Sequence, residues 1–117
     1  MSIFKTSGII ILFLFIVAFT PWHHGWADYD QENPIEYTGT VQELAYENPH
    51  ATIKINQKDK IWNVYLAPIS RMQARGVTEE MIKKGASVKV LGYPHKTEKD
   101  EMRAERIFIK DQKYELR

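Results

Sequence analysis

The sequence contains no cysteine among its 117 residues. This absence excludes a disulfide framework, a thiolate zinc site, an iron–sulfur cluster and a cysteine nucleophile. A bound metal would therefore need histidine, methionine or carboxylate ligands. The chain also lacks an internal repeat with a period of about 20 to 50 residues, which excludes solenoids and repeat arrays. The length then predicts one domain with one small core.

A marked excess of charge of either sign is also lacking. The chain has 16 lysine and arginine residues against 15 aspartate and glutamate residues. Lys5 is the one charged residue before Asp28, so the remainder carries 15 charges of each sign. A neutral body does not provide the basic surface that nucleic-acid backbones require. We therefore expect no nucleic-acid partner.

The N-terminus has the pattern of an export signal. Lys5 precedes an unbroken apolar run over residues 8–19, the order of a charged region and an apolar region in secretory signals. Twelve helical residues reach about 18 Å, which is short of the roughly 30 Å hydrocarbon core of a membrane. We predict a signal peptide or membrane anchor with a short leader over residues 1–27, and a β-barrel domain over residues 28–117. The expected location is the periplasm or the medium, or the inner membrane if the signal stays uncleaved, with membrane contact through residues 8–22.

Two cleavage sites fit the small-residue rule, one after Thr20 and one after Ala27. Cleavage after Thr20 keeps His23 and His24 near the start of the mature protein. Cleavage after Ala27 removes both imidazoles. The sequence leaves the two alternatives open.

From Glu36 onward the pattern is that of β-strands. The first strand shifts phase between Val41 and Leu44, which predicts a bulge, and Gly39 is available for a bend. Alternating apolar residues predict further strands over residues 51–55, 61–66, 88–92 and 102–109, with a return hairpin over residues 113–116. The residues 56–60 form the predicted loop of a hairpin.

A short helical segment is predicted between the third and fourth strands. Pro68 suits the first helical position and Gly76 the left-handed residue that ends the helix. Thr78 begins a second turn that ends before Gly85. The order of strands and helix is that of the OB-fold, so the predicted class is all-β: an OB-fold-like five-stranded barrel. The competing interpretation is an open sheet with one helix on a face.

The candidate ligand-binding residues are Asn48, His50 and Trp62. The Asn48-Pro49-His50 turn directs an imidazole into the start of the second strand, where it either satisfies turn backbone groups or faces a ligand. Trp62 shares a face with Val64 and Leu66, which predicts burial; an exposed Trp62 would instead be a recognition residue. His95 lies in a charged loop and is expected to be solvated.

The candidate metal ligands are His23, His24 and His50. Adjacent imidazoles suit copper, nickel or zinc, and a mature N-terminus at Pro21 would add amine and amide nitrogens around copper(II) or nickel(II). Two or three histidines do not close a site, so a carboxylate, the amine or a second molecule must complete it. The methionines are spaced as core residues.

No catalytic residues are predicted. Ser70 and Ser87 lack a nucleophile-elbow setting, and no zinc-hydrolase histidine motif is present. We expect a non-enzymatic exported binding or accessory module, with a small ligand, a metal or a periplasmic protein as its partner. The alternative is a periplasmic copper- or zinc-binding accessory protein that uses the N-terminal histidine pair.

An ordered set of short motifs runs along the chain. These are His23-His24-Gly25-Trp26, Tyr37-Thr38-Gly39-Thr40-Val41, Glu47-Asn48-Pro49-His50, Trp62 with Leu66-Ala67-Pro68, Arg75-Gly76, Val90-Leu91-Gly92-Tyr93 and Met102-Arg103-Ala104-Glu105. In this set the chain resembles the bacterial domain-of-unknown-function family 6152. The resemblance implies a small exported protein, and it supplies no activity. His23, His24 and His50 match polar positions of the family pattern. In that family the paired histidines tend to follow the signal directly, whereas here Pro21 and Trp22 intervene.

The predicted barrel is also similar in outline to the periplasmic haem chaperones of cytochrome c maturation. Those proteins carry a haem-binding histidine in a C-terminal tail. Residues 111–117 of this chain contain no histidine, which argues against a haem role.

Overall fold

The computed structural model describes residues 25–117, which contain six strands, one α-helix and two short 3₁₀ helices. The strands are β1 (Ile35–Ala45), β2 (Thr52–Gln57), β3 (Lys60–Tyr65), β4 (Ser87–Pro94), β5 (Glu101–Ile109) and β6 (Gln112–Glu115). Helix α1 (Ile69–Ala74) and the 3₁₀ helix Glu79–Ile82 lie between β3 and β4, and the 3₁₀ helix Trp26–Asp28 precedes β1.

The strands close into the predicted barrel. The sheet order is β3-β2-β1-β4-β5-β6, and β3 also pairs with β5. That last pairing is parallel and spans three register pairs, from Asn63 with Glu101 to Tyr65 with Arg103. The OB-like five-stranded barrel with a helical segment between its third and fourth strands is therefore confirmed, and β6 extends it as a hairpin on β5. Residues 1–24 of the predicted signal segment lie outside the described residues.

Strand β1 bends as its phase shift predicts. The register with β2 slips between Val41 and Glu43, so that the first half of β1 pairs with β4 and the second half with β2. A Cβ atom on Gly39 would clash with the backbone oxygen of Asn56. The absence of a side chain at Gly39 therefore lets two strands approach closely at the bend.

The two hairpins that flank the barrel use the same pair of turn residues. Lys58 and Asp59 connect β2 to β3, and Lys110 and Asp111 connect β5 to β6. All four have positive φ, between 49° and 67°, the backbone of a two-residue type I′ turn. Glycine or asparagine usually occupies such positions, so the sequence did not indicate turns this tight.

The helical segment closes one end of the barrel. Pro68 caps α1, and Gly76 adopts the predicted left-handed backbone with φ +84°. Met72, Val77 and Ile82 are fully buried. Because these apolar side chains enter the core from outside the sheet, the segment shields the barrel interior from water.

The barrel interior is filled by the inward residues of every barrel strand. Trp62 is 7% exposed and packs against Tyr37 with 5.0 Å between ring centroids. The predicted burial of Trp62 with the facing strands is confirmed. Val64 and Leu66, which were predicted on the same face, are buried as well, and so are Val41, Ile53, Val88 and Val90.

A short segment before β1 crosses the outside of the barrel. This segment, residues 26–30, is called the strap below. Its backbone is fixed by hydrogen bonds from Asp30 N to Pro94 O at 2.8 Å and from Lys96 N to Asp28 O at 2.9 Å. Tyr29 also forms a single antiparallel bridge with His95. The strap thus holds its aromatic side chains against β4, β5 and the loop between them.

Candidate functional site

A groove of about 350 Å³ lies on the outer face of the barrel over β1, β2 and β3. The alternation of the strands produces it. Ile53 and Val64 are buried, so their neighbours along each strand face outward. The polar and aromatic side chains of the groove are Glu43, Thr52, Lys54, Asn63, Tyr65 and Glu101.

The groove combines one exposed aromatic ring with three charged side chains. Tyr65 is 38% exposed and, with Ile61, is one of the two large apolar residues exposed in residues 25–117. Lys54 Nζ lies 3.1 Å from Glu43 Oε2, and both side chains are at least half exposed. With two carboxylates and one lysine, this partly aromatic surface suits a polar uncharged ligand better than a polyanion.

Glu101 lies at the end of the groove, and its carboxylate is held by the strap. Tyr29 Oη donates a hydrogen bond to Glu101 Oε2 at 2.8 Å. His95 Nε2 lies 3.9 Å from the same oxygen. Within residues 25–117 the other carboxylate oxygen, Oε1, accepts no hydrogen bond, so one oxygen positions the group and the other remains available to a ligand.

His95 is fixed from its other side by the backbone. Its Nδ1 accepts hydrogen bonds from Thr97 N at 3.1 Å and Glu98 N at 2.9 Å. In the neutral ring the proton is therefore on Nε2, toward Glu101. The side chain is 14% exposed and packs edge to face on Tyr29, with centroids 5.0 Å apart. The expectation of a solvated His95 is wrong, because the strap covers this loop.

The environment of Tyr29 keeps its hydroxyl protonated. Burial raises the pKa of Tyr29 far above its usual value, and the hydrogen bond to Glu101 and the charge of that carboxylate raise it further. The positive charge of Arg103 opposes these effects and is smaller. Tyr29 is thus a permanent donor that positions Glu101 at any ordinary pH.

The predicted ligand-binding residues lie elsewhere. Asn48 is exposed and His50 is half-buried, both in the connection between β1 and β2. Trp62 is in the core, which favours a structural role. None of the three lines the groove. Their assignment as ligand-binding residues stays a prediction.

The predicted metal site cannot be assembled from the described residues alone. His23 and His24 lie outside them. Within residues 25–117 no group of three or more histidine, aspartate or glutamate side chains is arranged to hold a metal ion. A site that includes His50 would therefore depend on the paired histidines, and it stays a prediction.

Sequence reasoning missed Tyr29, Tyr65 and Glu101. Tyr65 carried a signal, since alternation with Trp62 and Val64 places it on the outer face of β3. The sequence pattern places Glu101 only at the edge of a polar loop. Tyr29 belongs to a segment without periodicity, so nothing in the sequence brings it to β5.

Similar folds occur in solved structures of a tRNA-modifying enzyme. The complex of TiaS with a tRNA and ATP is 25% identical, with a TM-score of 0.51, over 69% of this chain. Apo TiaS, a tRNA agmatidine synthetase, is 26% identical, with a TM-score of 0.50, over 68% of this chain. This chain spans 19% and 18% of the length of those proteins. The similarity therefore concerns one small part of a much larger enzyme.

No curated protein matches the sequence significantly. A sequence profile does match, over residues 14–103, which is more than half of the chain. The strap, strands β1 to β4 and all the groove residues fall within this match, which ends early in β5. The protein therefore belongs to the family of unknown function DUF6152.

Proposed function

We propose that this protein is an exported, non-enzymatic binding module that holds a neutral saccharide in the groove over β1, β2 and β3. The observation that carries the proposal is the presence of an exposed Tyr65 ring and the Glu101 carboxylate in one groove, where Tyr29 holds the carboxylate by a hydrogen bond and His95 lies beside it. OB-fold barrels bind oligosaccharides and oligonucleotides on the face of their second and third strands.

The side chains of the groove match the groups of a sugar. A tyrosine ring offers an apolar face and a polar tip, and a pyranose ring likewise has an apolar face and hydroxyls at its edge. Thr52 and Asn63 supply hydroxyl and amide groups. Oε1 of Glu101 supplies an acceptor for a sugar hydroxyl, a hydrogen bond to a charged group.

The charge of the groove favours a saccharide over a nucleic acid. The similar solved structures include a complex with tRNA, and this raises the nucleic-acid alternative. Affinity for nucleic acid depends on several cations that neutralise phosphates. Here Lys54 is paired with Glu43, and Glu101 adds a negative charge. We therefore expect weak binding of oligonucleotides.

The absence of catalysis is part of the proposal. Hydrolysis of a glycoside commonly needs two carboxylates, one of them an acid in a secluded setting. Glu43 is the second carboxylate of the groove, but it is paired with Lys54 and its side chain is 66% exposed. Turnover on a panel of glycosides that a single substitution abolishes would contradict this part of the proposal.

Export rests on the sequence of the N-terminus. Lys5 and the apolar residues 8–19 support a signal. In residues 25–117 no helix is long and apolar enough to cross a membrane. The intact mass of protein from each cell fraction tests export: a mature form that lacks at least residues 1–20 is expected outside the cytoplasm. A full-length mass in the cytosol would contradict it.

The binding experiment is calorimetric titration of the exported protein with neutral oligosaccharides. Tyr65→Ala and Glu101→Gln should each weaken binding at least about tenfold, which is about 1.4 kcal/mol. Ile61→Ala is the matched control, because Ile61 is exposed on the same strand but does not line the groove. Tight binding of a single-stranded oligonucleotide without saccharide binding would overturn the proposal.

Copper or zinc binding by His23 and His24 remains the alternative. Affinity for either metal should fall as the pH drops through about 6.5, because protonated imidazole cannot coordinate a metal. Titration of the mature protein and of a His23→Ala/His24→Ala variant with copper(II) and zinc(II) tests the idea. Equal heats in the two proteins would end it.

A further inference from the structure

Arg103 is a buried residue whose side chain forms no ion pair in the described part of the chain. Arg103 lies on β5 between the core residues Met102 and Ala104, and it is 8% exposed. Its Nε is fully covered and has no hydrogen-bond partner. It forms no ion pair within residues 25–117. Burial of an unpaired charge is strongly unfavourable, so this group is one that an incoming anion would stabilise.

Other cations surround Arg103. Burial lowers the pKa of Arg103, the interaction with Tyr29 opposes this shift, and the positive charges of Arg71 and Arg117 add to it. Arg71 makes one hydrogen bond, from Nη1 to Leu116 O at 3.3 Å, and it forms no ion pair in the described part of the chain. The carboxylate that contacts this cluster is Glu105, which is 3.4 Å from Arg117 Nη1 and is shared with Arg106. Arg103 thus has two other guanidinium groups near it and forms no ion pair of its own within residues 25–117.

Trp26 of the strap covers this cluster. The Cζ atoms of Arg103 and Arg117 lie 4.3 Å and 4.2 Å from the centroid of its ring. Tyr93 contacts the same ring edge to face at 6.0 Å. Arg103 and Arg117 therefore pack on the same indole and belong to one cluster with the strap.

We propose that Arg103, together with Arg71 and Arg117, forms an oxyanion-binding site beneath Trp26 that takes the carboxylate or phosphate group of a small ligand. A guanidinium presents a planar fork of donors that matches two oxygens of such a group. The indole supplies a flat apolar cover over the bound group. The site is separate from the groove, since it needs neither Tyr65 nor Glu101.

The test is calorimetric titration of the full chain with inorganic phosphate and, in a second arm, with succinate. Sodium chloride keeps the ionic strength equal in all samples, because screening by salt would otherwise change the heats. We expect saturable binding of at least one anion at one site per chain, with a Kd below about 1 mM. The fluorescence of Trp26 should change with the same midpoint, and this change should be absent in Trp26→Phe. The arm that saturates identifies the oxyanion.

Variants assign the binding to the arginines. Arg103→Met should weaken binding at least tenfold, and Arg103→Lys, which keeps the charge but loses the fork, should also weaken it severalfold. Lys83→Met removes an exposed cation that is paired with Glu80, and it should leave the affinity unchanged. If Arg103→Met does not fold, Arg71→Gln serves instead, because Arg71 is exposed. The proposal would be overturned if the heats equal those with sodium chloride, or if neither Arg103→Met nor Arg71→Gln changes the affinity.

Discussion

Glu101 and Arg103 lie two residues apart on the same side of β5, but their charges have different surroundings. The Glu101 carboxylate receives a hydrogen bond from Tyr29 and has His95 beside it. The Arg103 guanidinium has two cations as neighbours and a buried Nε without a partner. Partners in the fold offset the desolvation free energy of a buried charge, and without partners this free energy destabilises the protein. The first arrangement positions an acceptor, whereas the second leaves a cation that an anion can neutralise.

The largest effect is expected for the core that supports both residues. Trp62→Ala should destabilise the protein by about 3–5 kcal/mol, because it leaves a large cavity in the barrel. Denaturant unfolding monitored by circular dichroism measures the change. A loss of less than about 1 kcal/mol in the free energy of unfolding would mean that Trp62 contributes little to the core beneath Glu101 and Arg103.

Removal of the partner of Glu101 should have a smaller effect of the same sign. Tyr29→Phe should cost about 2 kcal/mol, because a hydrogen bond to a charged group is lost. The fold raises the pKa of Tyr29, so its contribution is complete below about pH 10 and declines as the pH rises above that value. Wild-type stability should therefore fall above about pH 10.

The variant distinguishes this cause from general alkaline unfolding. Tyr29→Phe should lose stability less steeply above about pH 10, although a slope remains because burial also raises the pKa values of Tyr46 and Tyr93. Equal slopes in the two proteins would show that Tyr29 is not the titrating group.

Removal of the charge of Arg103 should have the smallest effect and the opposite sign. Arg103→Met should stabilise the protein by about 1 kcal/mol, because relief from burying an unpaired charge exceeds the lost contact with Trp26. Thermal and denaturant unfolding without added phosphate or carboxylate measure it. If Arg103→Met destabilises the protein by more than about 1 kcal/mol, the charge of Arg103 is stabilised by the fold, as that of Glu101 is.

The barrel was predictable because its strands carry period-two patterns that depend on local sequence alone. Val41, Ile53, Trp62 and Val90 follow from alternation, and the bulge in β1 follows from a break in it. The strap was not predictable. Trp26 and Tyr29 have no periodicity, and their partners on β5 lie more than 70 residues away along the chain.

The candidate sites depend on such long-range contacts, so sequence patterns reached them only in part. The outward direction of Tyr65 follows from β3. The fixed carboxylate of Glu101 and the isolated charge of Arg103 look alike in sequence, since each is a charged residue at an alternate position of one strand. Only the tertiary placement of Tyr29, Trp26 and Arg71 separates them.

The parallel pairing of β3 with β5 has a consequence for the motions of the barrel. It is the shortest ladder that closes the ring, with three register pairs between residues 63–65 and 101–103. Short ladders open before the rest of a fold does, and amide hydrogen exchange reports such opening. Tyr65 and Glu101 lie on opposite sides of this seam. A ligand that contacts both side chains would keep β3 and β5 paired. Amide exchange at these six residues would then become slower on binding, even if the shape of the barrel does not change.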